Sequence, residues 1–184
     1  MDKTEQKILD AALKVFSERG YDGAKTKLIA NESGFTEMTL FRKFGTKENL
    51  LSQVLTENQK IILGDFNSVI AQSLAKNSDE QINFLIERVV EVVDHNFEYI
   101  KILLNEKQRI SQTVIKGFIY HLSEHLAVIS PQSQIDNKVL AFNILSFAYF
   151  IKFDRSHGRT FDNHENAVEE FIRYTTQCLK KEKE

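Results

Sequence analysis

Helix-breaking residues are distributed very unevenly along this sequence of 184 residues. It has one proline, Pro131, and four of its seven glycines (Gly20, Gly23, Gly34 and Gly45) fall within the first 45 positions. Long stretches of the chain therefore lack residues that interrupt a helix. A folded core is possible, since 42% of the residues are apolar and a chain of this size buries roughly 70% of its unfolded surface. The sequence predicts an all-α protein.

Composition also excludes several classes of protein. The apolar content excludes disordered and collagen-like chains, and the single cysteine, Cys178, excludes a disulfide scaffold. The N-terminal residues have no apolar signal core, and the longest apolar-rich stretch, 139–153, is interrupted by Asn143 and Ser146. We therefore expect a cytoplasmic protein.

Apolar residues recur every three or four positions, a period that predicts about nine helices. The stretch 82–97 is rich in β-branched residues, but its period also favours a helix over a strand. Breaks are expected after the first helix at Gly20, at Pro131 and at His157-Gly158-Arg159. The fourth helix would be roughly 43 Å long, enough to leave one subdomain and enter another. The predicted helices cover 4–19, 25–33, a short segment capped by Thr36, 47–75, 82–97, 98–105, 111–129, 136–154 and 163–180.

The segment 25–47 has the pattern of a helix-turn-helix. Ala30 is small enough for two short helices to cross closely, and Gly34 can form the turn between them. Ile29, Phe35 and Leu40 are the apolar residues expected to fill the space between the two helices. The second helix would then present its first residues outward, as a helix that reads the major groove of DNA does.

Local charge agrees with a polyanionic partner for this segment. Although the whole chain has a net charge of −2, the segment 25–47 has more basic than acidic residues. The basic residues are Lys25, Lys27, Arg42, Lys43 and Lys47, and the acidic ones are Glu32 and Glu37.

The residues of this region, taken together, resemble the tetracycline-repressor (TetR) family of transcriptional regulators. The similarity extends over residues 8–50 without a gap, and includes Ile8-Leu9-Asp10-Ala11-Ala12, Phe16, Gly20-Tyr21, Ile29-Ala30, Gly34 and Thr39-Leu40-Phe41-Arg42-Lys43-Phe44-Gly45-Thr46-Lys47-Glu48-Asn49-Leu50. The resemblance implies a helix-turn-helix DNA-binding domain of three helices at 1–48. A long helix would join it to a helical domain at 49–184 for effector binding and dimerisation.

Roles at the DNA follow from the resemblance, position by position. It places Lys27 at the groove edge, with Thr36, Met38 and Thr39 at the groove-facing start of the recognition helix. Phe41, Lys43 and Lys47 correspond to backbone anchors, but Phe41 stands where tyrosine is commoner, so one phosphate hydrogen bond is lost. Glu37 can accept from a cytosine amino group or repel phosphates. The candidate DNA-binding residues are Lys25, Thr26, Lys27, Thr36, Glu37, Met38, Thr39, Phe41, Arg42, Lys43 and Lys47.

The last two predicted helices are candidates for a dimer interface. The helix at 136–154 is apolar around most of its circumference, so it must be covered on two sides. The helix at 163–180 has a narrower apolar stripe that could complete a four-helix interface with a second copy. The alternative is that both helices belong only to the core of one chain.

The resemblance further implies a ligand-released repressor that binds a near-palindromic operator as a homodimer, without a cofactor or metal. We expect an apolar or aromatic effector, because the C-terminal region is rich in phenylalanine. The candidate pocket residues are Phe66, Phe97, Phe118, His121, Phe142 and Tyr149. Ligand binding would tilt the long helix at 47–75 as a lever and change the separation of the two recognition helices.

Two other functions remain open from the sequence. His121, Glu124 and His125 fit the H-x-x-E-H pattern of some zinc peptidases, which would make the chain a metal-dependent hydrolase. The chain could also be a DNA-binding architectural dimer that takes no ligand. We expect no enzymatic activity, because the segment 25–47 explains more of the sequence than a five-residue pattern does.

Overall fold

The computed structural model of the chain describes residues 1–105, 109–131, 133–158 and 160–180, and the regular elements within these ranges are all α-helices. The predicted all-α class is confirmed. Arg159, part of the third predicted break, lies outside the described residues. In chain order the helices are α1 (Lys3–Gly23), α2 (Thr26–Ser33), α3 (Glu37–Phe44), α4 (Lys47–Leu74), α5 (Ser78–His95), α6 (Phe97–Asn105), α7 (Arg109–Ile129), α8 (Asn137–His157) and α9 (His164–Lys180).

Local capping interactions explain where several of these helices begin and end. The Asp2 carboxylate accepts hydrogen bonds from the N–H groups of Thr4 and Glu5, and the Glu5 carboxylate accepts one from the Asp2 N–H, which forms a capping box at α1. Gly20 interrupts α1 with a φ of 65°, as predicted, although helical residues continue to Gly23. Asp136 caps α8 by accepting from the two N–H groups that follow at 138 and 139.

The chain divides into two compact units, and the boundary between them falls inside α4. The first unit is Met1–Leu63 with Glu98–Ser111, and the second is Gly64–Phe97 with Gln112–Glu184. These are divisions by packing. The predicted boundary after residue 48, between a DNA-binding domain and an effector-binding and dimerisation domain, is a division by function and stays a prediction.

The first unit has one apolar core to which α1, α2, α3, α4 and α6 all contribute. The buried members of this cluster include Ile8, Ala12, Phe16, Ile29, Leu40, Leu50, Val54 and Ile102. The second unit has α5 at its centre, which packs against α8 and α9. Leu85, Ile86 and Val89 of α5 are completely buried, which agrees with the helix predicted for the β-branched stretch.

The turn between α8 and α9 is held by one buried carboxylate, that of Asp154. It accepts from the Thr160 N–H at 3.1 and 3.2 Å and from the Phe161 N–H at 3.4 Å, and His164 Nε2 lies 3.0 Å away. A Cβ at Gly158 would overlap Asp154 Oδ1, so glycine is needed there. The hydrogen bonds from Thr160, with those from His164 and Phe161, lower the pKa of Asp154 from 3.8 to about 2.

None of the helices that the structure describes is both long and apolar enough to cross a lipid bilayer.

Asp154→Asn should lower the melting temperature at neutral pH, because the amide loses the charge that its hydrogen-bond donors stabilise. The folded pKa of Asp154 lies below its unfolded value, so its contribution is complete above about pH 4 and is lost as the pH falls through about 2. Thermal unfolding is measured from pH 7 to pH 3. The difference in melting temperature between Asp154→Asn and the unmodified protein should become smaller towards acid pH. Asp162→Asn, at an exposed carboxylate in the same turn, is the control. Equal losses in the two variants at pH 7 would show that Asp154 has no special role.

Candidate nucleic-acid interface

A left-handed glycine joins α2 to α3. Gly34 has φ 77° and ψ 19°, and its N–H bonds to the carbonyl oxygens at the end of α2. The next residue, Phe35, donates its N–H to the Ala30 oxygen at 2.9 Å. Other residue types pay roughly 1–2 kcal/mol for this backbone conformation, which explains the glycine. The turn predicted at Gly34 is confirmed.

The residues expected to fill the space between α2 and α3 do so. Ile29 and Leu40 are completely buried, Ala30 is almost completely buried, and Phe35 packs partly buried against the same core. The two helices therefore form a single rigid element rather than two independent surface helices.

Hydrogen bonds within the protein engage most polar groups at the start of α3. Thr36 caps the helix by accepting from the Thr39 N–H at 3.2 Å, and the two threonine hydroxyls lie 3.1 Å apart. The Glu37 carboxylate accepts from the Thr26 hydroxyl at 2.6 Å. Met38, which lies between Glu37 and Thr39 in the sequence, is 81% exposed. Glu37 is thus tied to α2 and is not simply directed at a partner.

Several exposed or half-buried cations lie close in the sequence to α3. Lys25, Lys27 and Arg42 are exposed. The Lys47 ammonium lies 4.3 Å from the centre of the Tyr21 ring, an arrangement that orients it while it keeps its charge. The surface of the segment 25–47 is therefore polar and basic, with Met38 as its most exposed apolar side chain.

Lys43 has partners that the sequence interpretation missed. Its ammonium forms ion pairs with Asp2 and with Glu5, the latter at 3.3 Å. Hydrogen bonds to Asp2 and then Glu5 raise the pKa of Lys43. In turn, the hydrogen bond from Lys43 lowers the pKa of Asp2, and the Asp2 N–H, followed by Lys43, lowers that of Glu5. The spacing of Asp2-Lys3-Thr4-Glu5 signals the capping box of α1, but no local pattern joins these carboxylates to Lys43, which is 38 to 41 positions away.

Four of the six residues predicted for a ligand pocket form two packed aromatic pairs. Phe66 packs edge-on against Phe118, with ring centres 5.3 Å apart, and Phe97 packs against Tyr149 at 5.5 Å.

The remaining two pocket candidates, His121 and Phe142, are exposed. Each is next to a buried residue, Leu122 and Ala141 respectively, and the 100° rotation per helical residue turns it to the surface.

The H-x-x-E-H pattern likewise does not converge on a metal. His125 is buried and its Nε2 lies 2.8 Å from Ser73 Oγ, whereas His121 and Glu124 are exposed. Burial lowers the pKa of His125, which favours its neutral form. Within the described part of the chain, no group of three or more His, Cys, Asp or Glu side chains could hold a metal ion. The hydrolase interpretation has no support from this arrangement.

One side of α8 is an uncovered apolar surface. Its other side, which includes Leu140, Ile144 and Ile151, is buried. Phe147 stacks on Phe171 of α9 with ring centres 4.0 Å apart. The exposed surface, here called the α8 face, consists of Val139, Phe142, Phe150 and Phe153.

Comparison with known proteins places the helix-turn-helix in one family. Residues 8–54 match the sequence model described as "Bacterial regulatory proteins, tetR family". The uncharacterized HTH-type transcriptional regulator YvkB of Bacillus subtilis (strain 168) is 26% identical over 125 residues, which are 68% of this chain and 61% of YvkB. The biofilm operon icaADBC HTH-type negative transcriptional regulator IcaR of Staphylococcus aureus (strain Newman) is 25% identical over 137 residues, 71% of this chain and 72% of IcaR.

The fold is shared more widely than the sequence. The crystal structure of AibR in complex with isovaleryl coenzyme A and operator DNA superposes with a TM-score of 0.71 at 18% identity, over 94% of this chain and 97% of AibR. YvkB and IcaR are both described as HTH-type transcriptional regulators, which agrees with the regulator expected for this chain. Residues 8–54 therefore have the helix-turn-helix of the TetR family of bacterial regulatory proteins, and the fold of the chain is similar to that of AibR.

Proposed function

We propose that this protein is a homodimeric transcriptional repressor that binds a near-palindromic DNA operator and releases it when a small apolar or aromatic effector binds. The observation that carries the DNA-binding function is the start of α3, which is fixed against α2 by Gly34, capped by Thr36, and exposed among cations. This is the geometry that lets a helix enter the major groove. A cytoplasmic location is part of this proposal.

The roles of individual residues follow from their surroundings. Met38 and Thr39 face base edges, with Thr36 as the cap that also reaches the groove. Thr26 and Glu37 hold α2 and α3 together through their hydrogen bond. Exposed Phe41 packs against the DNA backbone without a hydrogen bond. The cations for phosphates are Lys25, Lys27, Arg42 and Lys47.

Lys43 takes a different role in this proposal. Its ammonium is already neutralised by Asp2 and Glu5, so it positions the end of α3 against the start of α1. It contributes less to phosphate binding than its place in the sequence suggests.

The α8 face is proposed as the dimer interface. Exposed phenylalanines on one helix favour contact with the same surface of a second copy of the chain. In a twofold dimer, each subunit buries the same patch against its partner. Two recognition helices would then need a separation of about 34–36 Å to reach successive major grooves.

Effector release is proposed to act through α4. Phe66 of α4 packs against Phe118 of α7, so a ligand that separates these rings would change the packing of α4. That helix begins directly after the helix-turn-helix, at Lys47. The AibR complex, which contains both isovaleryl coenzyme A and operator DNA, supports an effector-responsive regulator. A ligand shifts DNA affinity only as far as it prefers one state of the protein over the other.

The DNA-binding function is tested by selecting bound sequences from a random DNA pool and measuring affinity for the selected duplex against salt. Lys27→Ala and Lys47→Ala should each flatten the salt dependence by up to about one unit, because each removes one phosphate contact. Lys43→Ala should flatten it less. Lys60→Ala, at an exposed lysine of α4, is the control. Unchanged slopes for Lys27 and Lys47 variants would contradict the phosphate assignments, and enrichment of no sequence would contradict the function.

Dimerisation is tested at Phe150, which is 64% exposed on the α8 face. Phe150→Glu should give folded monomers, because a buried unpaired carboxylate costs several kcal/mol at an interface. Sedimentation at micromolar concentration measures the assembly, and circular dichroism confirms folding. Tyr120→Glu, at a 53% exposed aromatic residue of α7, should remain dimeric. A dimeric Phe150→Glu variant would place the interface elsewhere.

Effector release is tested with hydrophobic compounds that raise the melting temperature. Those that bind at Phe66 and Phe118 should weaken operator binding by about 5- to 150-fold, the range of typical coupling energies. Phe118→Leu should reduce their binding. Compounds that stabilise the protein and leave DNA affinity unchanged would favour the ligand-independent architectural dimer instead.

A further inference from the structure

The first turn of α3 has an unusual division between polar and apolar side chains. The Thr36 oxygen accepts from the Thr39 N–H, and the two hydroxyls lie within hydrogen-bond distance of each other, which uses one of their two hydrogens. Glu37 accepts the Thr26 hydroxyl. One threonine hydroxyl hydrogen and one oxygen of the Glu37 carboxylate are therefore engaged inside the protein at this turn. The side chain that projects furthest is the one that cannot form strong hydrogen bonds, Met38.

Met38 has no role in the packing of the first unit, because its side chain is almost fully exposed. Its side chain is 81% exposed, and Phe41, one helical turn further on, is 44% exposed. Residues three apart lie on the same side of a helix, so the two form an apolar strip. Lys25 and Lys27, on either side of Thr26, and Arg42, next to Phe41 in the sequence, are also exposed. An apolar strip within a basic surface is complementary to a polyanion that presents an apolar group.

Thymine supplies such a group in the major groove. The edges of adenine, guanine and cytosine present hydrogen-bond donors and acceptors there, whereas thymine adds a C5-methyl group. A methionine pressed against the other three edges would bury polar atoms without partners, which is unfavourable. A methionine against the methyl group buries apolar surface on both sides.

We propose that Met38, supported by Phe41, selects thymine in each operator half-site by contact with its C5-methyl group. This inference rests on the proposed DNA-binding function and extends it to the chemical feature that α3 recognises. Base preference at this position then depends on a methyl group rather than on a hydrogen-bond pattern. Thr36, Glu37 and Thr39 set the orientation of Met38.

The test uses the full-length protein and the duplex recovered by selection from random DNA. Each thymine is replaced in turn by deoxyuridine in both half-sites, which removes the C5-methyl group and leaves base pairing intact. At one position the affinity should fall by about fourfold per half-site, the value of one buried methyl-sized group. Thymines elsewhere in the duplex serve as internal controls.

Two variants identify the side chain responsible. Met38→Ala should bind the thymine and deoxyuridine duplexes within a factor of two of each other, and Met38→Leu should retain the sensitivity because it remains apolar and long. The protein should bind a duplex with 5-methylcytosine in place of the contacted thymine more tightly than a duplex with cytosine there, since only the methyl group differs between these two bases. Circular dichroism checks that the variants fold, and Met38 is exposed enough for substitution to leave the core intact.

The outcomes separate this inference from the function on which it rests. Tight binding to the selected duplex with no loss at any deoxyuridine would overturn methyl recognition and leave the DNA-binding function standing. Deoxyuridine sensitivity that persists in Met38→Ala would assign the contact to another residue and overturn the role of Met38. Failure to select any duplex would instead overturn the proposed function.

Discussion

The apolar core of the first unit holds α3 in the position on which the proposed function depends. Ile29 of α2 and Leu40 of α3 are completely buried in a cluster with Ile8 and Phe16 of α1 and Leu50 of α4. Full burial of each such side chain contributes about 1.5–3 kcal/mol. Gly34 makes the sharp turn between α2 and α3 possible. The core therefore fixes the angle of α3, and local polar contacts hold its exposed first turn.

Polar contacts refine this arrangement at three points. The Thr26–Glu37 hydrogen bond joins α2 to α3, the Thr36 cap fixes the first turn, and the Lys43 ion pairs join the last turn of α3 to the start of α1. Exposed ion pairs contribute little free energy individually. Their effect here is directional, because they engage Glu37 and Lys43 within the protein. Within the segment 25–47, the cations assigned to phosphates in the proposed function are Lys25, Lys27, Arg42 and Lys47.

The second unit contains a helix with two apolar sides, α8. One side of α8 forms the core with α5, while the α8 face stays exposed in the single chain. The turn that follows α8 depends on Asp154, whose hydrogen bonds bring α9 back alongside. The stacked rings of Phe147 and Phe171 join the two helices. The α8 face is the basis of the proposed dimer, and the aromatic pairs inside the unit are the basis of the proposed effector site.

The sequence by itself determined the helical class, the helix boundaries to within a few residues, and the turn at Gly34, because these depend on local spacing and backbone preferences. The residues of the helix-turn-helix were also identifiable from their order. Only the tertiary structure showed that Glu37 is bonded to Thr26 and that Lys43 is paired with Asp2 and Glu5, since the latter contacts join residues 38 to 41 positions apart. Only the tertiary structure also showed that Phe66 and Phe97 are buried whereas Phe142 and His121 are exposed. The direction in which each side chain leaves its helix, and what packs against it, decide burial, and residue type alone does not.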